Sequence, residues 1–120
     1  MKALILGMLL GALAAADLEQ RFDPRVRVSE GVGDHNLVYR TSPVCPENYC
    51  AVCAHAKVKL RVLVGKGGTV ERAFFFSGDA RLAAAAIRAV EQWRYQRLFL
   101  NQAPVQFETF TTVRFRACGT

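Results

Sequence analysis

The stretch that most constrains the fold is DARLAAAAIRAVEQWRYQ, Asp79–Gln96. Leu82, Ala86, Val90 and Trp93 recur at steps of three and four, so in a helix they share one face. Arg81, Arg88 and Gln92 fall on the opposite one. Asp79 is the predicted N-cap, because its carboxylate can accept from a free backbone N–H at the helix start. A face so rich in Ala is flat and suits close packing on a sheet. The segments on either side alternate as strands do. Val58, Leu60, Val62 and Val64 lie on one face with Lys59 and Arg61 on the other, and Gly65–Gly68 makes a turn. Val70–Phe76 then returns as the second strand of a hairpin. Three consecutive Phe residues cannot share a side, and simple alternation turns Phe75 away from Phe74 and Phe76. Beyond the helix, Arg97–Pro104 reads as a loop. Val105–Arg116 follows as a long strand with Val105, Phe107, Thr109, Thr111, Val113 and Phe115 on one side. The expected class is α+β, a small antiparallel sheet covered by a single helix. Leu82, Val90, Trp93 and Tyr95 are its expected core anchors.

Three segments precede or flank this unit. Residues 1–16, MKALILGMLLGALAAA, place one Lys before an apolar run shorter than the ~20 residues that span a bilayer, and end in Ala14-Ala15-Ala16. This predicts a signal peptide cleaved near Ala16 and a mature periplasmic or secreted chain; an uncleaved anchor helix is the alternative. Residues 17–56 form an N-terminal arm and a cysteine-containing segment, and 57–118 the main domain. Within the arm, Arg25–Val28 and Leu37–Arg40 alternate around a turn-rich centre with Gly31, Gly33, Asp34 and Asn36, which fits a hairpin or an extended arm. The formal charge of +6 falls to +5 without Lys2. The remaining basic residues are dispersed, so nucleic acid is not an expected partner.

SPVCPENYCAVCAH, Ser42–His55, is the most chemically unusual stretch. Pro43 and Pro46 bar a helix before Glu47, and a short helix over Glu47–Ala56 sets Cys50 and Cys53 one turn apart. In an exported chain Cys45, Cys50, Cys53 and Cys118 are read first as disulfides, in one of three pairings. A bridge from Cys118 to Cys45 or Cys53 would pin the N-terminal segment to the last strand. Closing a loop of ~70 residues is worth roughly 4 kcal/mol. The rival readings are a zinc set from Cys45, Cys50, Cys53 and His55, and a redox-active Cys50/Cys53 pair. Covalent haem attachment fails, because Ala54 stands between Cys53 and His55.

No catalytic constellation is present, so the chain is read as a non-enzyme with no cofactor and no metal. His35 is read as a solvated turn residue, and Ser77-Gly78 as a strand-to-helix turn. Gly65–Gly68 leads into no helix, which excludes a phosphate loop. A sheet of few strands still leaves a row of unpaired N–H and C=O groups, where an extended peptide can add.

VKLRVLVGKGGTV, then Ser77-Gly78, AAAAIRAVEQWRY, Ala103-Pro104-Val105 and TVRF resembles the C-terminal domain of TonB-type energy transducers. Upstream, Arg25–Val32, Leu37–Arg40 and Pro43-Val44-Cys45-Pro46 resemble the arm that precedes this domain in many members. The chain departs from the family pattern at Arg97 and Gln102, near Ala56 and at Cys45. It shows neither a full membrane anchor nor a Pro-rich spacer. The resemblance implies a stand-alone exported module that pairs by strand addition with a peptide such as an outer-membrane receptor segment. The strand expected to take it is Val105–Arg116, through the backbone at Val105, Phe107, Thr109, Thr111 and Val113, with Arg114 and Arg116 favouring an acidic or polar peptide. The alternatives are a structural or assembly protein whose edge is filled by its own arm or by a second copy, as a homodimer, and a thiol- or metal-handling protein using Cys45, Cys50 and Cys53.

Overall fold

The computed structural model describes residues 26–118; the expected signal peptide and its expected cleavage near Ala16 lie outside the described residues. In chain order the elements are β1 (Val26–Arg27), α1 (Glu30–His35), β2 (Leu37–Tyr39), α2 (Cys50–Cys53), β3 (Lys57–Val64), β4 (Val70–Gly78), α3 (Ala83–Val90), β5 (Arg94–Tyr95), β6 (Leu98–Leu100), β7 (Ala103–Val105) and β8 (Phe107–Arg114). Single 3-10 turns, Glu47–Tyr49 and Ala80–Leu82, lead into α2 and α3.

The alternation in β3 and β8 becomes a two-faced sheet of order β1-β8-β3-β4. β3 runs antiparallel to both β4 and β8, from Lys57 opposite Arg114 to Val64 opposite Phe107. One face meets α3. There Val58, Leu60, Val62 and Val64 pack with Phe107, Val113 and Phe115 from β8 and its end, and with Leu82, Ala86 and Val90 from the helix region. Each large apolar side chain withdrawn from water contributes about 1.5–3 kcal/mol, and the small Ala side chains let α3 approach closely.

The structure departs from these expectations in several places. The helix is shorter than Asp79–Gln96: after Val90 the chain turns, with the Trp93 N–H donating to the Val90 carbonyl at 2.9 Å. Trp93 and Tyr95 thus lie beyond the helix, yet both are buried. The Trp93 indole N–H donates to the Thr41 carbonyl at 2.8 Å, and the Tyr95 N–H to the Gly68 carbonyl at 2.8 Å. These long-range bonds, together with the pairing of Tyr95 with Leu37, take the place of a continued helix. Gly68, at φ 87°, is needed here, since a Cβ would collide with the Tyr95 carbonyl oxygen.

The long strand is also shorter. Val105 closes a separate hairpin of β6 and β7, turned by Asn101 (φ 49°) and Gln102 (φ 69°), and β8 begins at Phe107. The expected loop over Arg97–Pro104 is largely this hairpin. The arm is neither a hairpin nor merely extended: β1 pairs in parallel with β8, α1 follows, and β2 pairs with β5. The sheet is therefore mixed rather than antiparallel. Finally, Lys59 pairs with Ser77 but Leu60 with Phe75, leaving Phe76 as the extra residue of a bulge. Phe75 and Phe76 are both exposed, at 40% and 58%.

The pairing of the cysteines is Cys45–Cys53 and Cys50–Cys118. The N-terminal segment is pinned to the end of β8, but through Cys50 rather than Cys45 or Cys53. α2 accounts for this: one helical turn separates Cys50 from Cys53, and Cys53 is fully buried while Cys50 is not. Asp79 caps the turn into α3, accepting from the Arg81 N–H at 3.0 Å. The Arg81 guanidinium, 2.7 Å away, holds its carboxyl below the usual range.

Candidate functional site

The chemistry of this fold lies in its sheet margins. Along an antiparallel strand, N–H and C=O groups alternate between the two neighbours. The Phe115 N–H donates to the Ala56 carbonyl on the β3 side, and the Glu108 carbonyl accepts from the Val28 N–H on the outer side, at 2.9 Å. With β3 and β8 in regular register, the backbone groups of Phe110, Thr112 and Arg114 also point outward.

The arm occupies much of that outer margin. β1 pairs Val26 with Phe107 and Arg27 with Glu108. Beyond it, α1 lies along Thr109–Thr112, capped by Ser29, whose Oγ accepts from the Val32 N–H at 3.2 Å. Three β8 hydroxyls donate to the arm: Thr109 to the Ser29 carbonyl at 3.1 Å, Thr111 to Asp34 Oδ1 at 3.1 Å and Thr112 to Glu30 Oε2 at 2.6 Å. Lys59 adds an ion pair with Glu30 at 3.4 Å. Glu108, nearly fully buried, lies between Arg27 at 3.4 Å and Arg61 at 3.5 Å. Gly33 is buried against Thr109, where an added Cβ would come within 2.5 Å of the hydroxyl. β8 is thus no open edge, contrary to the expectation for a sheet of few strands. At the other margin of this sheet β4 has no strand on its outer side among the described strands, while the two-residue β1 ends the sheet beyond β8.

Of the residues expected to bind a partner, Phe107, Thr109, Thr111 and Val113 bury their side chains and turn their backbone groups toward β3, so the outward margin is carried instead by the backbone of Phe110, Thr112 and Arg114. Val105 is half-buried in β7, outside β8, and Arg114 and Arg116 are exposed. Leu82, Val90, Trp93 and Tyr95 are all buried. Burial pushes the Tyr95 phenol well above its ordinary value, so it stays protonated. Burial also raises the Asp34 carboxyl, against the opposing hydrogen bond from Thr111.

All four cysteines are bonded, and the two bridges sit side by side, with Cys118 Sγ 3.7 Å from Cys45 Sγ. The sulfurs of Cys45, Cys50 and Cys118 lie within 4.8 Å of one another, but as disulfides they offer no thiolate to a metal. His35 closes the last turn of α1. That helix escaped the sequence reading because Gly31 and Gly33 weaken its propensity; the cap signal Ser29 followed by Glu30 was the available clue.

Against this geometry, the model of the Gram-negative bacterial TonB protein C-terminal family matches residues 43–117. The chain belongs to the TonB C-terminal family. The matched region runs from the cysteine segment through β8 and leaves β1, α1 and β2 outside it. This family is associated with binding and transport in the bacterial envelope, and it is not an enzyme family. Two disulfides agree with an oxidising compartment. No helix among the described residues is long and apolar enough to cross a membrane. Comparison with curated proteins returns no match.

Proposed function

We propose that this TonB C-terminal domain works as an exported, periplasmic binding module, without catalysis, in TonB-linked transport. It takes a partner peptide, such as a segment of an outer-membrane receptor, by strand addition on the outer margin of β8. The observation that carries this reading is β1 itself. An extended segment already lies on that margin, in parallel, through only two paired residues and the Val28 N–H. A partner strand reaching Phe110, Thr112 and Arg114 makes more ladder bonds than β1, each worth roughly 1 kcal/mol net, and displaces the arm.

The same contact supports a second reading, in which the arm is a permanent part of the sheet and the chain is a structural or assembly protein. The outer margin of β4, unpaired among the described strands, then pairs with a second copy. A backbone NMR titration of the mature chain with receptor N-terminal segments separates the two. Shifts along Phe107–Arg114 together with residues 29–35 support displacement of the arm. Shifts confined to Val70–Gly78 move the site to β4, and no shifts, with mass rising with concentration, favour self-assembly.

A further inference from the structure

At the end of β8 the arm leaves the margin, and a cavity of about 430 Å³ opens there. Its walls come from four parts of the chain: Asp34 at the end of α1, Arg40 to Pro43 after β2, Trp93 after α3, and Thr112, Val113 and Arg114 of β8 with Arg116 just beyond it. Arg40 stacks over the Trp93 ring, 5.1 Å from its centre. Arg114 and Arg116 are exposed at the other side. None of these three arginines is in an ion pair among the described residues, and the one carboxylate in the wall is Asp34. That carboxylate accepts from Thr111 and feels Arg40.

We propose that this cavity receives the carboxylate of an Asp or Glu side chain carried by an extended peptide, which replaces Asp34 among Arg40, Arg114 and Arg116. The inference rests on strand addition at β8 and names the partner's chemistry. A guanidinium matches a carboxylate with two parallel N–H donors, and three around one cavity leave positive charge that a single internal carboxylate does not offset. The outward N–H and C=O groups of Thr112 and Arg114 lie beside them, so a chain paired there carries its side chain to the cavity. The arginines do not travel with α1. Arg40 follows β2, which is paired with β5, and Thr41 is tied by its hydroxyl to the Ala89 carbonyl at 2.9 Å and by its carbonyl to Trp93. The end of β8 is held by the Cys50–Cys118 bridge. When the arm leaves, Asp34 goes with it and the remaining wall is more positive.

The test uses the mature, oxidised chain and three probes: an extended heptapeptide with one central Glu, the same peptide with Gln, and N-acetylglutamate as its α-amide, which has the side-chain carboxylate but no strand. The readouts are affinity, the β8 amide shifts, and the shift of the Trp93 indole N–H. The Glu peptide is expected to bind about 10-fold tighter than the Gln peptide, as for a charge-assisted contact. This preference should shrink to less than about 2-fold in Arg40→Ala and in the Arg114→Ala, Arg116→Ala pair, whose amide spectra report that the fold is retained. Equal affinity of the two peptides, with β8 shifting, overturns the carboxylate site and leaves strand addition standing. A Trp93 shift with N-acetylglutamate α-amide while neither peptide moves β8 supports the carboxylate site and overturns strand addition. No Trp93 shift with any probe overturns the site.

Discussion

β4 and β8 lie on either side of β3, paired with it through the same backbone chemistry, and their outer margins are protected in different ways. β4 runs nine residues, Val70–Gly78, without a neighbour on its outer side among the described strands. What limits pairing there is local: charge at Glu71 and Arg72, and the bulge at Phe76, which throws the ladder out of step. β8 pairs with β3 without a bulge and its Glu108 is taken up by Arg27 and Arg61, so it is guarded instead from a distance by a segment about 80 residues earlier in the chain. A margin guarded by its own sequence stays guarded. One guarded by a docked segment can be uncovered, and that is why β8, though covered, is the better candidate for regulated pairing.

The contrast can be broken first at its covalent anchor. Replacing Cys50 and Cys118 together by Ser is expected to lower stability by about 4 kcal/mol, and the Cys45, Cys53 pair by about 2.5 kcal/mol, since the loops closed differ in length, 68 against 8 residues. Urea unfolding measures both, and amide exchange should quicken at the end of β8 before it does in β4. Next, Gly33→Val places a side chain against Thr109 and should push α1 from β8 at a cost of about 2 kcal/mol. The signature is faster exchange at Phe110, Thr112 and Arg114 with β4 unchanged; equal acceleration on both strands would erase the distinction between them.

Smaller effects sharpen the picture. Thr111→Val or Thr112→Val removes one hydroxyl bond to the arm and should cost about 1 kcal/mol, read by the same unfolding curves. The smallest is the pH dependence of Asp34. Its carboxyl lies among Glu30, Arg40, Thr111 and the Tyr95 phenol, and burial raises it above the ordinary 3.8. The folded state then binds the proton more tightly than the unfolded one. Its contribution is fully present below 3.8 and is lost as pH rises through the higher folded value. Exchange at Thr112 should accordingly quicken over that window, and Asp34→Asn should flatten the profile. A profile that slopes the other way would show that the Thr111 bond, not burial, governs this carboxyl.

The sequence by itself determined which faces are apolar. Val58 to Val64 and Phe107 to Phe115 alternate, and Leu82, Ala86 and Val90 share a helical face, because side-chain direction follows from the local backbone period. The family could be read from the same local patterns, as could the short helix that holds Cys50 and Cys53. Three things were settled only in three dimensions. α3 stops at Val90 because Thr41 and Gly68, far away in the chain, offer Trp93 and Tyr95 better-placed acceptors. Cys50 rather than Cys45 or Cys53 meets Cys118, because the turn of α2 decides which sulfur faces the end of β8. And β8 is covered, because whether a margin is open depends on where a separate segment comes to rest, which no period within the strand encodes.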